Sequence, residues 1–241
     1  MNPSRRLFAL IVAATAIAGL GAGAMAMYYW RTRPRQVVDA YHIWYHKNGE
    51  STYNNTRWLG AKTQQCPLDM WVYQEMLAEL KPDVLIEAGT YQGGSAYFFA
   101  SILDLLKHGR VITVDIEDFP AKPKHDRITY LLGSSTSDEI LEKIKRQISP
   151  GEKVIVILDS DHHAPHVLNE IMRYSPLVSP GSYLIVQDTH FNGHPILPKF
   201  GPGPMEAVRE FLQSNADFQP DSSREKFGMT FNPGGFLKRL R

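Results

Sequence analysis

Five short apolar runs rich in β-branched residues recur from Asp83 onward: Val84-Leu85-Ile86, Val111-Ile112-Thr113-Val114, Ile128 to Leu132, Val154 to Leu158 and Tyr183 to Val186. A short, mostly apolar run suits a strand covered on both faces, and sheets covered on both faces are characteristically parallel. Parallel neighbours cannot be joined by a hairpin; each needs a crossover, usually a helix. The intervals supply helical patterns. Ser95 reads as the cap of a run ending at Gly109, with Phe98, Phe99, Ile102, Leu105 and Leu106 inside it. Ile140, Leu141, Ile144 and Ile148 space out a second helix, stopped by Ser149-Pro150-Gly151, and Val167, Leu168, Ile171 and Met172 a third. This alternation predicts an α/β fold, a Rossmann-like, doubly wound, mostly parallel sheet that binds ligands at the carboxyl ends of its strands.

The amino-terminal part has a different composition. Leu7 to Trp30 is a run of 24 uncharged residues, preceded by Arg5 and Arg6 and followed by Arg31, Arg33 and Arg35. At ~1.5 Å per residue such a helix spans a hydrocarbon core of about 30 Å, and Tyr28, Tyr29 and Trp30 suit the interface. The expected organisation is an anchor over 1–35 and a catalytic domain over 36–241, opening with an amphipathic helix at Gln36 to Lys47. Ser4-Arg5-Arg6-Leu7-Phe8 also resembles a twin-arginine export signal, with Ala22-Gly23-Ala24 as a cleavage site. The apolar run continues past that site into an aromatic and arginine stop, which favours an uncleaved anchor with the domain in the cytoplasm.

A net charge of +1 argues against a nucleic-acid partner held by a basic surface. Cys66, the one cysteine, excludes an intramolecular disulfide and a multi-cysteine zinc site.

Chemistry is expected where strands end. The first ends in Glu87-Ala88-Gly89-Thr90-Tyr91-Gln92-Gly93-Gly94-Ser95. Its glycines allow a ligand close to the backbone and the following helix offers free N–H groups, although a tight turn alone would also use Gly93 and Gly94. The pattern is neither G-x-G-x-x-G nor a P-loop. Asp115, ending the second strand, is placed to accept ribose hydroxyls. The fourth strand runs into Asp159-Ser160-Asp161-His162-His163 and the fifth into Gln187-Asp188-Thr189-His190. Asp159, Asp188 and the Gln187 amide oxygen make a hard-oxygen set suited to magnesium. Asp161 precedes a helix with Pro165 in its first turn and reads as an N-cap. Five of nine histidines fall between His162 and His194. Of these, His162 is the foremost proton acceptor, ahead of His190. Two histidines and one carboxylate could instead hold iron(II) for oxygen chemistry.

From about Asn55 to Leu240 the chain resembles the cephalosporin hydroxylase and rhamnosyl O-methyltransferase family, which has the class I S-adenosylmethionine-dependent methyltransferase fold. The resemblance is carried by Thr56-Arg57-Trp58-Leu59-Gly60, Cys66-Pro67-Leu68-Asp69-Met70-Trp71, Tyr73-Gln74-Glu75 and Ile86-Glu87-Ala88-Gly89-Thr90 with Gly93-Gly94-Ser95. It continues through Gly133-Ser134-Ser135, Leu158-Asp159-Ser160-Asp161-His162 and Ser179-Pro180-Gly181-Ser182-Tyr183. Late matches are Asn192-Gly193-His194-Pro195, Gly201-Pro202-Gly203-Pro204 and Phe231-Asn232-Pro233-Gly234-Gly235.

The resemblance implies an S-adenosylmethionine site with Glu87, Gly89, Thr90, Gly93 and Ser95 in its turn, Asp115 on the ribose, and Ser134 and Ser135 near the adenine. It implies magnesium (Mg2+) on Asp159, Gln187 and Asp188, with Gln187 where the family usually has Glu. Catechol-type methyltransferases place a lysine base three residues after the first metal aspartate; the matching residue here is His162. The implied activity is O-methylation of a sugar, a lipid-linked glycan or a small molecule, with Trp58, Trp71 and Phe191 available as acceptor faces. A hydroxylase of the cephalosporin type and a non-catalytic, membrane-tethered cofactor-binding homologue are the alternatives. A homo-oligomer is compatible with the sequence.

Overall fold

The computed structural model describes Gly23, Met25, Met27 and residues 34–241. The chain divides into two units, Met1–Tyr41 and His42–Arg241. Among the described residues no helix is long and apolar enough to cross a membrane; most of the anchor expected over 1–35 lies outside them. Residues 34–47 are helical, which agrees with the expected amphipathic segment, and α1 denotes the part of this helix in the second unit, 42–47.

After α1, the second unit forms a small hairpin, β1 (Arg57–Trp58) and β2 (Ala61–Lys62), then α2 (Pro67–Leu80), β3 (Val84–Ala88), α3 (Gly94–Leu106), β4 (Arg110–Asp115) and β5 (Ile128–Leu132). It continues with α4 (Asp138–Lys145), β6 (Val154–Leu158), α5 (Ala164–Tyr174), β7 (Tyr183–Val186), α6 (Pro204–Ser214), β8 (Phe218–Pro220) and β9 (Phe236–Arg239). All five apolar runs are strands. Their sheet order is β5-β4-β3-β6-β7-β9-β8. The five are parallel, and β9 and β8 add an antiparallel edge. From β3 the chain winds outward to β5, then restarts at β6 on the other side of β3. The point where the order reverses lies between β3 and β6, where an open α/β sheet leaves its crevice.

Alternate residues of each central strand enter two cores. Val84, Ile86 and Ala88 face a layer built with Ile140 and Ile144 of α4, Val167 and Ile171 of α5 and Phe211 of α6. Leu85 faces Val72, Met76 and Leu77 of α2 and Phe99 and Leu103 of α3. Fully burying each such side chain contributes about 1.5–3 kcal/mol, so this three-layer packing fixes the strand ends that carry the site.

Several local expectations are corrected. The N-cap of α3 is Gly93, in the left-handed region, and not Ser95, which lies in the first turn. The N-cap of α5 is His163. Asp161 instead accepts the His163 backbone N–H and faces its Nδ1, both at 2.7 Å, in the turn before the helix. Met172 points outward. No helix links β4 to β5; residues 116–127 cross in turns and loop. By contrast Ser137 caps α4, accepting the Ile140 N–H.

Candidate active site

A cavity of about 710 Å3 opens over the carboxyl ends of β3 to β7. Five neighbouring strand ends at ~4.8 Å spacing make it roughly 19 Å wide, long enough for two ligands side by side.

One end is built on the β3–α3 turn. Gly89, Thr90, Ser95, Asp115, Ser134 and Ser135 all line it, as expected. At Gly89, φ is +98°, and a Cβ there would come within 1.9 Å of the Asp159 carbonyl oxygen, so only glycine lets β3 and β6 end this close together. Asp115 Oδ2 accepts the Tyr91 N–H at 2.7 Å and Oδ1 the Glu117 N–H at 3.0 Å. Each oxygen retains a lone pair for a further donor.

Glu87 and Gly93 do not line the cavity. Glu87 is fully buried, and burial pushes its carboxyl up to about 7 even though Thr113 Oγ1 donates to it at 2.6 Å. With that hydroxyl hydrogen committed, Thr90 must be the donor in its 2.6 Å contact with Thr113. Glu87 therefore orients Thr90 from behind and does not face a ligand. Gly93 makes the turn, at φ +76° with a Cβ position 3.0 Å from Tyr130 Oη.

The middle of the cavity holds the carboxylates. The ligand atoms of Asp159, His162 and Asp188 all lie within 4.8 Å of one another. His162 Nε2 is 3.3 Å from Asp188 Oδ2, and His190 Nε2 is 3.1 Å from Asp188 Oδ1. Burial tends to raise Asp188, but His162 and His190 outweigh it and hold the carboxyl below its ordinary value. Burial, then Asp188 and Glu87, drive Asp159 well upward. Two half-buried carboxyls with no lysine or arginine paired to either, among the described residues, form a site short of positive charge. Gln187 lines the cavity, and its buried Nε2 has no hydrogen-bond partner among the described residues. This donor set fits a hard divalent cation. It contains one histidine and two carboxylates, the reverse of the iron(II) set.

Sequence reasoning missed the residues that brace this set. Gln65 Nε2 donates to Asp159 Oδ2 at 2.8 Å. Asp188 adopts φ +55°, and Asn232 Oδ1 accepts its N–H at 3.1 Å. Asn232 Nδ2 in turn donates to the Tyr73 hydroxyl at 2.7 Å. Lys62, on β2, is the one lysine or arginine among the described lining residues. None follows a local pattern; Gln65 is 94 residues from its partner.

The other end is aromatic. His190 packs 4.3 Å from Phe231 and 5.0 Å from Phe191, centroid to centroid. His42 Nε2 and His190 Nδ1 are 2.8 Å apart. Because Asp188 takes the His190 Nε2 hydrogen, His42 is assigned as the donor. Burial, then His190 and His46, push His42 down to about 3, so it is neutral. Of the three expected acceptor faces only Phe191 lines the cavity. Trp58 donates to Ser101 Oγ and packs on Phe98, and Trp71 is exposed with its Nε1 on Glu75.

Comparison with known proteins agrees with this layout. Residues 50–240 match the family model for rhamnosyl O-methyltransferase/CmcI. Rhamnosyl O-methyltransferase of Mycobacterium leprae is 41% identical over 210 residues, covering 84% of this chain and 90% of that protein. The Mycobacterium tuberculosis H37Rv protein of the same name is 42% identical over 211 residues, covering 84% and 85%. Among solved structures, apo CmcI aligns with a TM-score of 0.61 at 23% identity, covering 78% of this chain and 77% of that one. CmcI with Mg and SAM aligns at 0.59 and 21%, covering 78% of each. At that identity the two structures speak for the fold alone, whereas the family match spans most of the chain. The chain belongs to the rhamnosyl O-methyltransferase/CmcI family.

Proposed function

We propose that this protein is an S-adenosylmethionine-dependent, magnesium-assisted O-methyltransferase acting on a sugar hydroxyl. The observation that carries the reading is one cavity joining a glycine turn with Asp115 to a half-buried pair of carboxylates, Asp159 and Asp188. Relatives named rhamnosyl O-methyltransferase support the sugar, and the Mg and SAM in the CmcI structure's description support the two groups.

In this reading Gly89, Thr90 and Ser95 form the cosubstrate's bed, Asp115 accepts its ribose hydroxyls, and Ser134 and Ser135 lie at its adenine end. Asp159, Asp188 and Gln187 hold the cation. The cosubstrate supplies an electrophilic methyl group, and the cation supplies a lowered hydroxyl pKa on the acceptor. His162 keeps Nε2 as the donor toward Asp188 and takes the hydroxyl proton at Nδ1. Asn232 and Gln65 hold the two aspartates so that the acceptor oxygen meets the methyl carbon in line.

We also propose that Leu7 to Trp30 tethers the domain to the membrane on its cytoplasmic side. The uncharged run and the three arginines that follow it support this. A lipid-linked sugar is then the natural acceptor.

Calorimetry on the full-length protein in detergent tests the cosubstrate site. Asp115→Ala should weaken S-adenosylhomocysteine binding by about 1–3 kcal/mol, since the ribose loses a charged acceptor. Equal affinity would remove Asp115 from the site.

A further inference from the structure

Beyond the metal set the cavity ends in a wall that the methyl-transfer chemistry leaves unexplained. Phe191 and Phe231 supply its apolar faces; His46 and Tyr53, stacked at 5.5 Å and 18°, close it from the side. Tyr53 meets Phe231 edge-on at 5.3 Å, and His46 meets Phe191 edge-on at 6.2 Å. Both polar members line the cavity, yet neither the Tyr53 hydroxyl nor the His46 imidazole has a hydrogen bond to another described side chain or backbone group. Two polar edges in an aromatic frame, without a hydrogen-bond partner among the described residues, are free to meet a ligand in the cavity.

We propose that His46 and Tyr53, with Phe191 and Phe231, form the acceptor subsite, and that it takes an uncharged hydroxylated ring with an apolar face, a sugar. The inference rests on the methyltransferase reading and adds the residues that select the acceptor. The apolar face follows from the frame, since aromatic rings accept a C–H face while leaving hydroxyls to the rim. Charge excludes other classes. Lys62, the cavity's lysine, sits against Tyr91 at the opposite end, so an anionic acceptor would find no cation here. Burial holds His46 below its ordinary value and Tyr53 above its own, so both edges are neutral and can each donate and accept toward hydroxyls. In the methyltransferase reading Asp159 and Asp188 are committed to the divalent cation, which disfavours a cationic acceptor beside it.

The test uses the full-length protein in detergent micelles, with S-adenosylhomocysteine bound for NMR and S-adenosylmethionine with magnesium as the methyl donor for kinetics, methyl α-L-rhamnopyranoside as the sugar probe and catechol as the flat aromatic rival. Saturation-transfer NMR should show magnetisation passing from protein aromatic protons to the sugar C–H face. Tyr53→Phe and His46→Phe should each raise the acceptor KM by about five- to tenfold while leaving kcat and S-adenosylhomocysteine affinity unchanged. The proposal is overturned if wild type binds S-adenosylhomocysteine but gives no transfer to the sugar, if both variants keep the acceptor KM within about twofold, or if catechol is methylated in preference to the sugar. If wild type does not bind S-adenosylhomocysteine at all, the underlying methyltransferase reading fails, and the acceptor subsite falls with it.

Discussion

At the scale of single residues the site is a problem of charge. Asp159 and Asp188 share a half-buried space with no lysine or arginine beside them among the described residues; the Gln65 amide supports Asp159, and His162 and His190 support Asp188. Gln187 adds an oxygen but no charge, so its contribution to holding a divalent cation lacks the Coulomb attraction of a carboxylate. Gln187→Glu should therefore lower the magnesium concentration for half-maximal methyl transfer by about tenfold, without necessarily raising the maximal rate, because a more negative site makes the cation a weaker Lewis acid. Titrating activity with magnesium after chelator treatment checks this, with His162→Ala in parallel. As a proton acceptor, His162 should lower the rate and leave the magnesium midpoint in place; a shifted midpoint would make it a ligand. Asp159, Gln187, Asp188 and His162 could be named from sequence because strand ends in this fold converge. Glu87 was legible as an important position but not as a buried one. The Thr113 that separates it from the cavity sits on another strand, and its contact is visible only once the register of β3 and β4 is known.

At the scale of elements, α2 holds the loop ahead of β9 through the Tyr73 hydroxyl, which accepts from Asn232 Nδ2, and through one buried carboxyl. Asp69 Oδ2 accepts the Phe231 N–H at 2.8 Å, which places both Phe231 in the aromatic wall and Asn232 behind Asp188. Burial pushes Asp69 up to about 7 against these hydrogen bonds. Its unfolded value is 3.8, so between the two the folded state holds the extra proton and the domain loses stability as pH rises from about 4 to 7. Asp69→Asn keeps an acceptor oxygen and removes that loss. The variant should gain on wild type by on the order of a few kcal/mol between pH 4.5 and 7.5, read from urea midpoints at the two values. An unchanged difference would mean that Asp69 titrates normally. The strands were readable because burial on both faces leaves its mark within each run of four to six residues. Helices α2 and α6 and the antiparallel β8–β9 edge were not. The only strong local marks of these helices are Pro67 and Pro204 in their first turns, and the β8–β9 edge is defined by pairing β9 with β7, more than 50 residues earlier. Ser95 and Asp161 were misread for the opposite reason. Each has a capping side chain in a suitable place, but the chain enters the helix two residues away, through Gly93 and His163.

At the scale of the whole molecule, a cavity roughly 19 Å wide over five strand ends at ~4.8 Å spacing divides into a polar donor end, a carboxylate centre and an aromatic acceptor end. The donor end and the centre lie on the strands of the parallel sheet, whose carboxyl ends a sequence reading can place. Much of the acceptor wall comes from outside it, from α1 and the turn that follows, and so was missed. The uncharged run ahead of α1 extends the account to location. Digestion of intact cells or spheroplasts with protease should spare the domain, as its cosubstrate is made in the cytoplasm, and cleavage from outside the inner membrane would favour the export signal. The central claim is tested most directly by methyl transfer itself. Full-length protein in detergent, given isotopically labelled S-adenosylmethionine and methyl α-L-rhamnopyranoside, should form a labelled methyl ether of the sugar, lose that activity in chelator and regain it with magnesium. Binding of the cosubstrate with no labelled sugar formed, or full transfer in the presence of chelator, would contradict it.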